Sequence, residues 1–389
     1  MQRLIRQNRD VRVDFFRGYA LFCIFIGHIP EHVLWVITIQ VLGPSDATET
    51  FIFLAGYAAA LAYGRALERQ GYAYAAVGVL LRVWQLYVTH IFMFLAFVGQ
   101  VSWSAARFAN PAYVDEQNIG AFLETPHEAV IAALTLRFQP AFMDILPLYI
   151  VVLLLLVPLL PLLRRPLWLL VPSFALYLVV RLTGLTLTTT TGTWFFNPLA
   201  WQFLFMLGAA ISRLGDAGRA QFGRLRPILL PLAILGAALG LAISAVWRIP
   251  AVFALLPEPV AVAIYTRIDK ASLHPARLLH FLSVAYLVSQ VVRPGAGWLT
   301  RLPASVFTLI GQHGLLVFCM GIFLSFLGRL IMQEYDASLP TQFAIAAGGL
   351  ALFLGFSALQ AWYDGRAATR PAPPAPALAT PAEADTQRA

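Results

Sequence analysis

Charged residues are scarce in this chain of 389 residues: Asp, Glu, Lys and Arg make up 12% of it, against 59% hydrophobic residues. Lysine is nearly absent, because Lys270 is the single example and the rest of the positive charge is arginine. Soluble domains carry about 25% charged residues. The composition therefore excludes a soluble protein, and the net charge of +8 gives no indication of a nucleic-acid partner.

Cysteine is also rare, with two residues in the chain. Cys23 and Cys319 both lie in apolar runs, which predicts small core residues and no disulfide.

No small-residue cleavage site follows the first apolar run, so we expect a retained first span rather than a signal peptide. Metal-ligand spacings, a glycine-rich phosphate loop and a nucleophile elbow are also missing. We expect no metal and no permanently bound cofactor.

Long apolar runs are abundant. Runs of about 20 residues are long enough to cross the hydrocarbon core of a lipid bilayer as helices. We predict an all-α polytopic integral membrane protein with about ten transmembrane helices. The predicted spans are 17–39, 49–66, 76–101, 141–163, 167–185, 198–214, 227–247, 278–293, 304–331 and 341–363.

The distribution of arginine orients these spans, because arginine is enriched in cytoplasmic loops. Five arginines lie within residues 1–17 and four within 213–226. Acidic residues collect instead in the 102–140 connection and at Glu334 and Asp336. Both termini are therefore predicted to be cytoplasmic.

One segment does not fit a simple series of spans. Residues 250–265 are apolar but contain Pro257-Glu258-Pro259, which favours a re-entrant or extracytoplasmic segment over an eleventh helix. If the segment did span, every later helix would be inverted. We assign residues 1–365 to one transmembrane domain and residues 366–389, rich in Pro and Ala, to a disordered cytoplasmic tail.

The first apolar run contains an ionisable group. His28 follows Arg17 in an Arg-x10-His arrangement. Ionisable groups are costly inside a bilayer and mark functional sites there. Because imidazole can take a proton from a hydroxyl and return it to a leaving group, we predict that His28 is catalytic. The alternative is a histidine that is hydrogen-bonded between helices.

Two carboxylates follow at the start of the second predicted span. The connection after the first span is short, so Asp46 or Glu49 could approach His28. A carboxylate on the imidazole would fix its tautomer and stabilise its charged form. We predict that Asp46 and Glu49 are catalytic, with helix capping by Asp46 or Ser45 as the alternative.

Arginines mark the predicted cytoplasmic ends of two spans. Arg12 and Arg17, together with Asp14, precede the first span, and Arg82 lies near the cytoplasmic end of the third. Guanidinium groups bind phosphates and carboxylates bidentately, so the three arginines are candidates for binding an anionic cofactor. The alternative is a collar of arginines paired with acids. Asp14 and His90, which lies about two turns beyond Arg82, are candidates for substrate binding.

Polar side chains also lie near the predicted outer ends of later spans. Asp144, Asn197, Gln202 and Lys270 are the clearest examples. Each by itself is explained by helix capping or packing. Together they predict a hydrophilic pocket that opens outward and could admit a sugar, and we take all four as candidates for substrate binding.

Short motifs with these residues are found along most of the chain. They are Arg9-Asp10-x-Arg12-x-Asp14-Phe15-Phe16-Arg17-Gly18, His28-Ile29-Pro30, Ser45-Asp46-Ala47-Thr48-Glu49 with Phe53-Leu54-Ala55-Gly56-Tyr57, Arg82-x2-Gln85-Leu86-Tyr87-x2-His90-Ile91, Gln139-Pro140-x2-Met143-Asp144-Ile145-Leu146-Pro147, Asn197-Pro198-x2-Trp201-Gln202, Asp269-Lys270 and Arg277-Leu278-Leu279-His280-Phe281. In number and order they resemble the OpgC family of membrane acyltransferases, which attach succinyl groups to osmoregulated periplasmic glucans. The wider acyltransferase family three has an Arg-x10-His element, which Arg17 and His28 match. Its Arg-x2-Arg pair is matched only at Arg82, with Val79 and Gln85 on either side.

The resemblance implies an O-acyltransferase of the bacterial inner membrane, with residues 1–365 as its acyltransferase domain. Acyl-CoA, by resemblance succinyl-CoA, would be the donor and co-substrate, and a periplasmic glucan or other glycan the acceptor. His28 would act as general base on the acceptor hydroxyl, with Asp46 or Glu49 orienting or charging it. Direct transfer and transfer through an acylated protein group both stay open.

Two other classes of function remain. A secondary transporter or exporter of a small anionic or sugar-like solute would also have Arg, Asp and His inside its spans. We find no internal repeat, which argues against a transporter built from duplicated halves. A non-catalytic membrane scaffold would gain nothing from so many polar groups near its spans.

Overall fold

The computed structural model describes residues 10–190 and 192–368. These residues form helices and one isolated β-bridge, between Thr188 and Thr193, which confirms the all-α class. The α-helices are α1 (Val11–Gly27), α2 (Ala47–Phe108), α3 (Ala112–Glu116), α4 (Gly120–Glu124), α5 (Pro126–Leu134), α6 (Ile145–Leu159), α7 (Pro166–Thr183), α8 (Pro198–Ser212), α9 (Asp216–Arg224), α10 (Arg226–Arg248), α11 (Pro250–Ala254), α12 (Glu258–Arg267), α13 (Pro275–Val291), α14 (Ala304–Gln312), α15 (Gly314–Glu334) and α16 (Leu339–Ala368). Short 3-10 helices cover Val33–Ile37, Ile39–Leu42, Leu160–Arg164 and Gly297–Thr300.

Six helices within the described ranges are long and apolar enough to cross a membrane, which identifies a membrane protein. They are α2, Ile145–Arg164 (α6 with the 3-10 turn that follows it), α7, α10, α15 and α16 as far as Gly365. In α2, which has 62 residues, the backbone of Gly71 is non-helical, with φ 84° and ψ 179°. The break falls between the predicted spans 49–66 and 76–101, so α2 carries both of them.

The first helix is shorter than the predicted span 17–39. α1 ends at Gly27, and the chain continues as the two 3-10 turns from Val33 to Leu42. Pro30 has no backbone N–H and prevents the helix from continuing. His28 is the C-cap residue of α1, and its backbone N–H donates to the Ile24 carbonyl at 3.1 Å. The histidine therefore lies at a helix end, not in the middle of a span.

Two other boundaries differ from the prediction, at 304–331 and at 365, whereas residues 250–265 form no long helix. The predicted span 304–331 is divided at His313 into α14 and α15. Residues 250–265 fold mainly as α11 and α12, of 5 and 10 residues, which are too short to cross a bilayer as helices. Prolines in the first turn of each explain the interruption. α16 continues to Ala368, past the predicted domain boundary at 365, and residues 369–389 of the predicted tail lie outside the described residues.

Glycines let the helices around α1 and α2 approach very closely. A Cβ atom added to Gly18 of α1 would lie 1.9 Å from a backbone oxygen of α14, and one added to Gly311 of α14 would lie 1.8 Å from a backbone oxygen of α1. In the same way, a Cβ atom added to Gly56 of α2 would lie 2.0 Å from a backbone oxygen of α8, and one added to Gly208 of α8 would lie 2.1 Å from a backbone oxygen of α2. Small residues of this kind allow close helix packing in membranes. They fix α1 against α14 and α2 against α8.

The 3-10 turns after α1 are attached to the end of α10. Arg248 donates hydrogen bonds to the carbonyls of Gln40 and Val41, and its guanidinium lies 5.2 Å from the ring centre of Trp35. The Ser244 hydroxyl also donates to the Val41 carbonyl, at 3.0 Å. The segment between α1 and α2 is therefore held in place beside His28.

The connection between α2 and α6 is attached to α15. In α3, Glu116 forms an ion pair with Arg329, and the Tyr113 hydroxyl donates to Glu334. The backbone N–H of Ala141 donates to the carbonyl of Gln117 at 3.0 Å, which ties the end of the connection to its beginning. The connection thus has a defined conformation where it enters α6.

Candidate functional site

A cavity of about 70 Å³ lies at the C-terminal end of α1. It is lined by Cys23, Ile24, Gly27, His28, Thr38, Gln40, Asp46, Ala47, Thr48 and Lys270. Three of the predicted site residues, His28, Asp46 and Lys270, therefore share one cavity, although they come from three separate parts of the chain.

The imidazole of His28 is half-buried and packs against an aromatic ring. Its ring centre lies 4.2 Å from that of Phe142, at an interplanar angle of 34°. The Nδ1 atom is buried and has no hydrogen-bond partner among the described residues. No hydrogen bond within the described ranges joins this imidazole to Asp46 or Glu49, so the predicted carboxylate–imidazole pair is not formed in this structure.

Asp46 both caps a helix and binds two cations. Its side chain accepts from the backbone N–H of Thr48 at 2.8 Å, as an N-cap residue does. Its Oδ2 atom lies 2.6 Å from Nζ of Lys270 and 3.3 Å from a guanidinium nitrogen of Arg277. Burial raises the pKa of the Asp46 carboxyl, but Lys270 and Arg277 lower it more, and the resulting pKa lies below its ordinary value. The carboxylate is therefore ionised.

Glu49 is fully buried one turn further along α2. Its Oε2 accepts from the backbone N–H of Asp46 at 2.9 Å, which completes a capping box. Its Oε1 accepts from Nε of Arg277 at 2.8 Å. Arg277, itself only 6% exposed at its side chain, thus joins the two carboxylates that begin α2. A buried carboxylate needs such a partner, because an unpaired charge there is strongly destabilising.

Lys270 is held at the cavity by its loop. Asp269 forms an ion pair of 2.7 Å with Arg181 of α7, and the indole N–H of Trp201 donates to the Lys270 carbonyl at 3.1 Å. The ammonium group lies 5.4 Å from the ring centre of Phe196, within range of a cation–π interaction. These contacts direct the lysine towards Asp46.

Two of the predicted substrate-binding residues form hydrogen bonds to other groups of the protein. Asn197 caps α8 by accepting from the Leu199 N–H at 3.1 Å and donates to the Leu185 carbonyl at 2.7 Å. Gln202 accepts from the Ser173 hydroxyl at 2.6 Å and donates to the Ser173 carbonyl at 2.8 Å. Neither lines the cavity, and their contacts are those of helix capping and packing.

Asp144 and His90 also lie outside the lining of the cavity. Asp144 directly precedes α6 without capping it and lies within electrostatic range of Lys270. His90 is fully buried in α2, and neither ring nitrogen has a hydrogen-bond partner among the described residues. The structure therefore brings Asp144 close to the cavity but does not connect His90 to it.

The predicted anion-binding arginines do not line the cavity either. The polar side-chain partners are Asp10 for Arg12 at 2.7 Å, Asp14 for Arg17 at 3.7 Å, and Gln85 for Arg82 at 2.6 Å. Asp14 also accepts from the Gln312 side chain at 3.2 Å. Arg17 precedes His28 by eleven positions, which is about 16 Å along the helix axis. The cavity thus lies at the C-terminal end of α1, whereas Arg12 lies in its first turn and Arg17 in its N-terminal half.

Sequence reasoning missed several residues at this site. Arg277 was visible only as part of a motif, since nothing in its spacing indicates contact with Glu49, more than two hundred residues away. Phe142 gave no signal at all. Cys23, Thr38 and Gln40 line the cavity and were not predicted to do so. Among residues 10–190 and 192–368, no group of three or more His, Cys, Asp or Glu side chains could hold a metal ion.

Comparisons with curated proteins and with solved structures gave no match. The sequence does match one family, described as OpgC protein, over residues 9–365. The matched range contains every residue that lines the cavity and the whole Asp46, Glu49, Lys270 and Arg277 network. By this match over nearly its whole length, the chain belongs to the OpgC family.

Proposed function

We propose that this protein, an acyltransferase-like membrane protein by its family, transfers a succinyl or similar acyl group from cytoplasmic acyl-CoA to hydroxyls of a periplasmic glucan or other glycan. The observation that carries the proposal is the cavity at the end of α1, where His28 lies beside the charged groups of Asp46 and Lys270. A histidine at such a position is suited to remove a proton from a hydroxyl. The family match supports the same class of reaction.

The proposed chemistry begins with the acceptor in the cavity. The imidazole of His28 takes the proton of an acceptor hydroxyl while the hydroxyl oxygen attacks the carbonyl carbon of the thioester. A carbon–oxygen bond forms, and the carbon–sulfur bond then breaks. The proton passes from the imidazole to the sulfur, so that the products are an ester and free CoA. Lys270 and Asp144 are proposed to bind polar groups of the acceptor.

The donor is proposed to enter from the other end of α1. Arg12, Arg17 and Arg82 would bind the phosphates of CoA, because guanidinium groups bind phosphate bidentately. The thioester would then extend along α1 for about 16 Å to reach His28. Asp14, which pairs with Arg17, would hold that guanidinium in position.

The proposed topology has ten spans in the bacterial inner membrane, with both termini in the cytoplasm. Support comes from the arginine-rich loops, from the break at Gly71 within α2, and from the short helices α11 and α12. Reporter fusions at Lys270 and Glu334 test it. Both should report the periplasmic side, and fusions on opposite sides of the membrane would exclude the ten-span arrangement.

The function is tested by transfer of radiolabel from succinyl-CoA to periplasmic glucan in membranes. Wild type is compared at matched protein levels with His28→Ala and with His127→Ala, an exposed histidine in α5 far along the chain from the cavity residues. We expect label on the glucan with wild type and His127→Ala, and a loss of about a hundredfold or more with His28→Ala. Equal transfer by all three would remove His28 from the chemistry. No transfer by any of them would exclude this donor and acceptor pair.

A further inference from the structure

The orientation of the His28 ring is not explained by hydrogen bonds. Catalytic imidazoles are usually held by a partner on the second ring nitrogen. Here Nδ1 is buried without a hydrogen-bond partner among the described residues, and Asp46 and Glu49 are occupied by Lys270 and Arg277. Some other contact must hold the ring in place at the edge of the cavity.

The aromatic ring of Phe142 makes that contact. The two ring centres are 4.2 Å apart and the planes are tilted by 34° relative to each other, so the two rings are in direct contact. Phe142 comes from the connection between α2 and α6, whereas His28 ends α1. The contact therefore joins two segments that lie more than a hundred residues apart in the chain.

The backbone of Phe142 is in an uncommon conformation. Its φ of 67° lies in the left-handed region, which is unfavourable for a bulky side chain. Strained residues persist only where their surroundings determine the conformation, and they concentrate at functional sites. On the two sides of Phe142, the Ala141 N–H donates to the Gln117 carbonyl at 3.0 Å and the Met143 N–H donates to the Pro140 carbonyl at 3.1 Å. The Met143 side chain is 1% exposed, which fixes the segment further.

We infer that Phe142 is a positioning residue for His28: its left-handed backbone directs the phenyl ring onto the imidazole, and the ring contact takes the place of an orienting carboxylate. The inference rests on the proposed function for its kinetic consequence. It predicts that the ring itself, and not the backbone conformation alone, is required. A shift of about 1 Å in a catalytic group can reduce a rate by about a hundredfold, so loss of the ring should lower kcat by between ten- and a hundredfold.

Four variants separate the ring from the backbone. Phe142→Tyr keeps the ring, whereas Phe142→Ala and Phe142→Gly both remove it. Glycine adopts a φ of 67° without strain and alanine does not, so this pair differs in backbone strain and by one methyl group, and neither variant has the ring. Leu136→Gly is the matched control, because Leu136 also has a positive φ, of 59°, in the same connection and does not line the cavity. Thermal unfolding of each variant in detergent shows whether it is folded.

Two measurements are made on each folded variant. The first is kcat and KM for transfer from labelled succinyl-CoA to glucan. The second is the rate at which diethyl pyrocarbonate modifies His28, followed by mass spectrometry of the peptide that contains it. The second measurement does not depend on any enzymatic activity, so it keeps the test of Phe142 separate from the test of the proposed function.

We expect Phe142→Ala and Phe142→Gly to lose ten- to a hundredfold in kcat with little change in KM, and to show faster modification of His28. Phe142→Tyr and Leu136→Gly should resemble wild type in both measurements. Wild-type kcat in Phe142→Gly would overturn the inference, because the backbone and not the ring would then matter. Unchanged modification of His28 in both ring-deleted variants would also overturn it. If wild type itself transfers no label, the modification rates alone decide.

Discussion

The ammonium nitrogen of Lys270 lies 2.6 Å from Oδ2 of Asp46, at the cavity that also contains His28. The same oxygen lies 3.3 Å from Arg277, so one carboxylate is shared by two cations. Lys270 is the single lysine of the chain, and it stands where the first turn of α2 meets the loop before α13. This ion pair joins the start of α2 to the loop before α13 at the cavity.

Asp46→Asn should weaken the attachment of the start of α2 to Lys270 and Arg277. The substitution removes the charge shared by Lys270 and Arg277 but keeps most of the helix cap, because asparagine is also a good N-cap residue. Since hydrogen bonds to charged groups contribute about 1.5 to 3 kcal/mol, we expect a fall in the free energy of unfolding of about 2 kcal/mol and reduced transfer. Thermal unfolding in detergent and the labelling assay measure the two effects. Asp115→Asn, at an exposed site in α3, is the control. Equal behaviour of both variants would show that the ion pair contributes nothing.

Arg277→Ala should be more damaging than Asp46→Asn. It leaves Glu49, which is fully buried, without a cation, and removing one partner of a buried ion pair costs about 3 to 5 kcal/mol. Addition of Glu49→Gln to Arg277→Ala should recover part of the loss, because the second substitution removes the uncompensated charge. The measurement is thermal unfolding, with Arg165→Ala at an exposed position as control. Strictly additive effects of the two substitutions would contradict the ion pair.

Gly18→Ala should prevent correct packing of α1 on α14. The added methyl group would lie 1.9 Å from a backbone oxygen, which cannot move aside as a flexible side chain can. We expect a loss of more than about 3 kcal/mol, seen as little folded protein in membranes. Gly99→Ala is the matched control, since no atom lies within 4 Å of the added carbon. It should be neutral or stabilising by up to about 1 kcal/mol.

Gly240→Ala should destabilise the protein through a clash with one side chain. A second substitution that removes this side chain should therefore restore part of the stability. The added carbon would lie 1.9 Å from Cδ2 of His280, whose Nδ1 is 2.7 Å from the Ser45 hydroxyl. His280→Ala removes the clash at the cost of that hydrogen bond, about 1 kcal/mol. The double variant should therefore unfold at a higher temperature than Gly240→Ala alone. An equal or lower temperature would mean that the clash is not with His280.

Arg82→Gln tests the proposed donor site. If the guanidinium binds a phosphate of the donor, its loss should raise KM for acyl-CoA about tenfold with kcat nearly unchanged, because that contact does not change during the reaction. Arg165→Gln, at an exposed position between α6 and α7, is the control. A fall in kcat without a change in KM would contradict a role of Arg82 in binding the donor in the ground state.

The helical class and most helix positions could be predicted from the sequence, because apolar runs of bilayer length are a strong signal. Boundaries were less predictable where helix ends depend on tertiary contacts. His28 was expected within a span, and it lies at the end of α1 because Pro30 stops the helix. The six long apolar helices confirm a membrane protein, while the count of ten and the orientation stay predictions.

The site was predictable only in part. His28, Asp46 and Lys270 stood out as ionisable groups in an apolar chain, and they line one cavity. The partner of Glu49 was not predictable, since Arg277 approaches it only when α13 packs beside α2. Phe142 was invisible for a different reason: a phenylalanine in a chain with 28 of them carries no signal, and its backbone angle exists only in the folded protein.

The contact between Gly18 and the backbone of α14 leaves α1 no room to slide along its neighbour. Because Arg17 lies within α1 and His28 is its C-cap residue, the helix itself also keeps their separation constant, whatever binds at either end. If CoA phosphates bind at Arg17, this rigid helix sets a minimum length for the donor. A thioester on a shorter carrier would leave its carbonyl carbon out of reach of the imidazole, even with the correct acyl group.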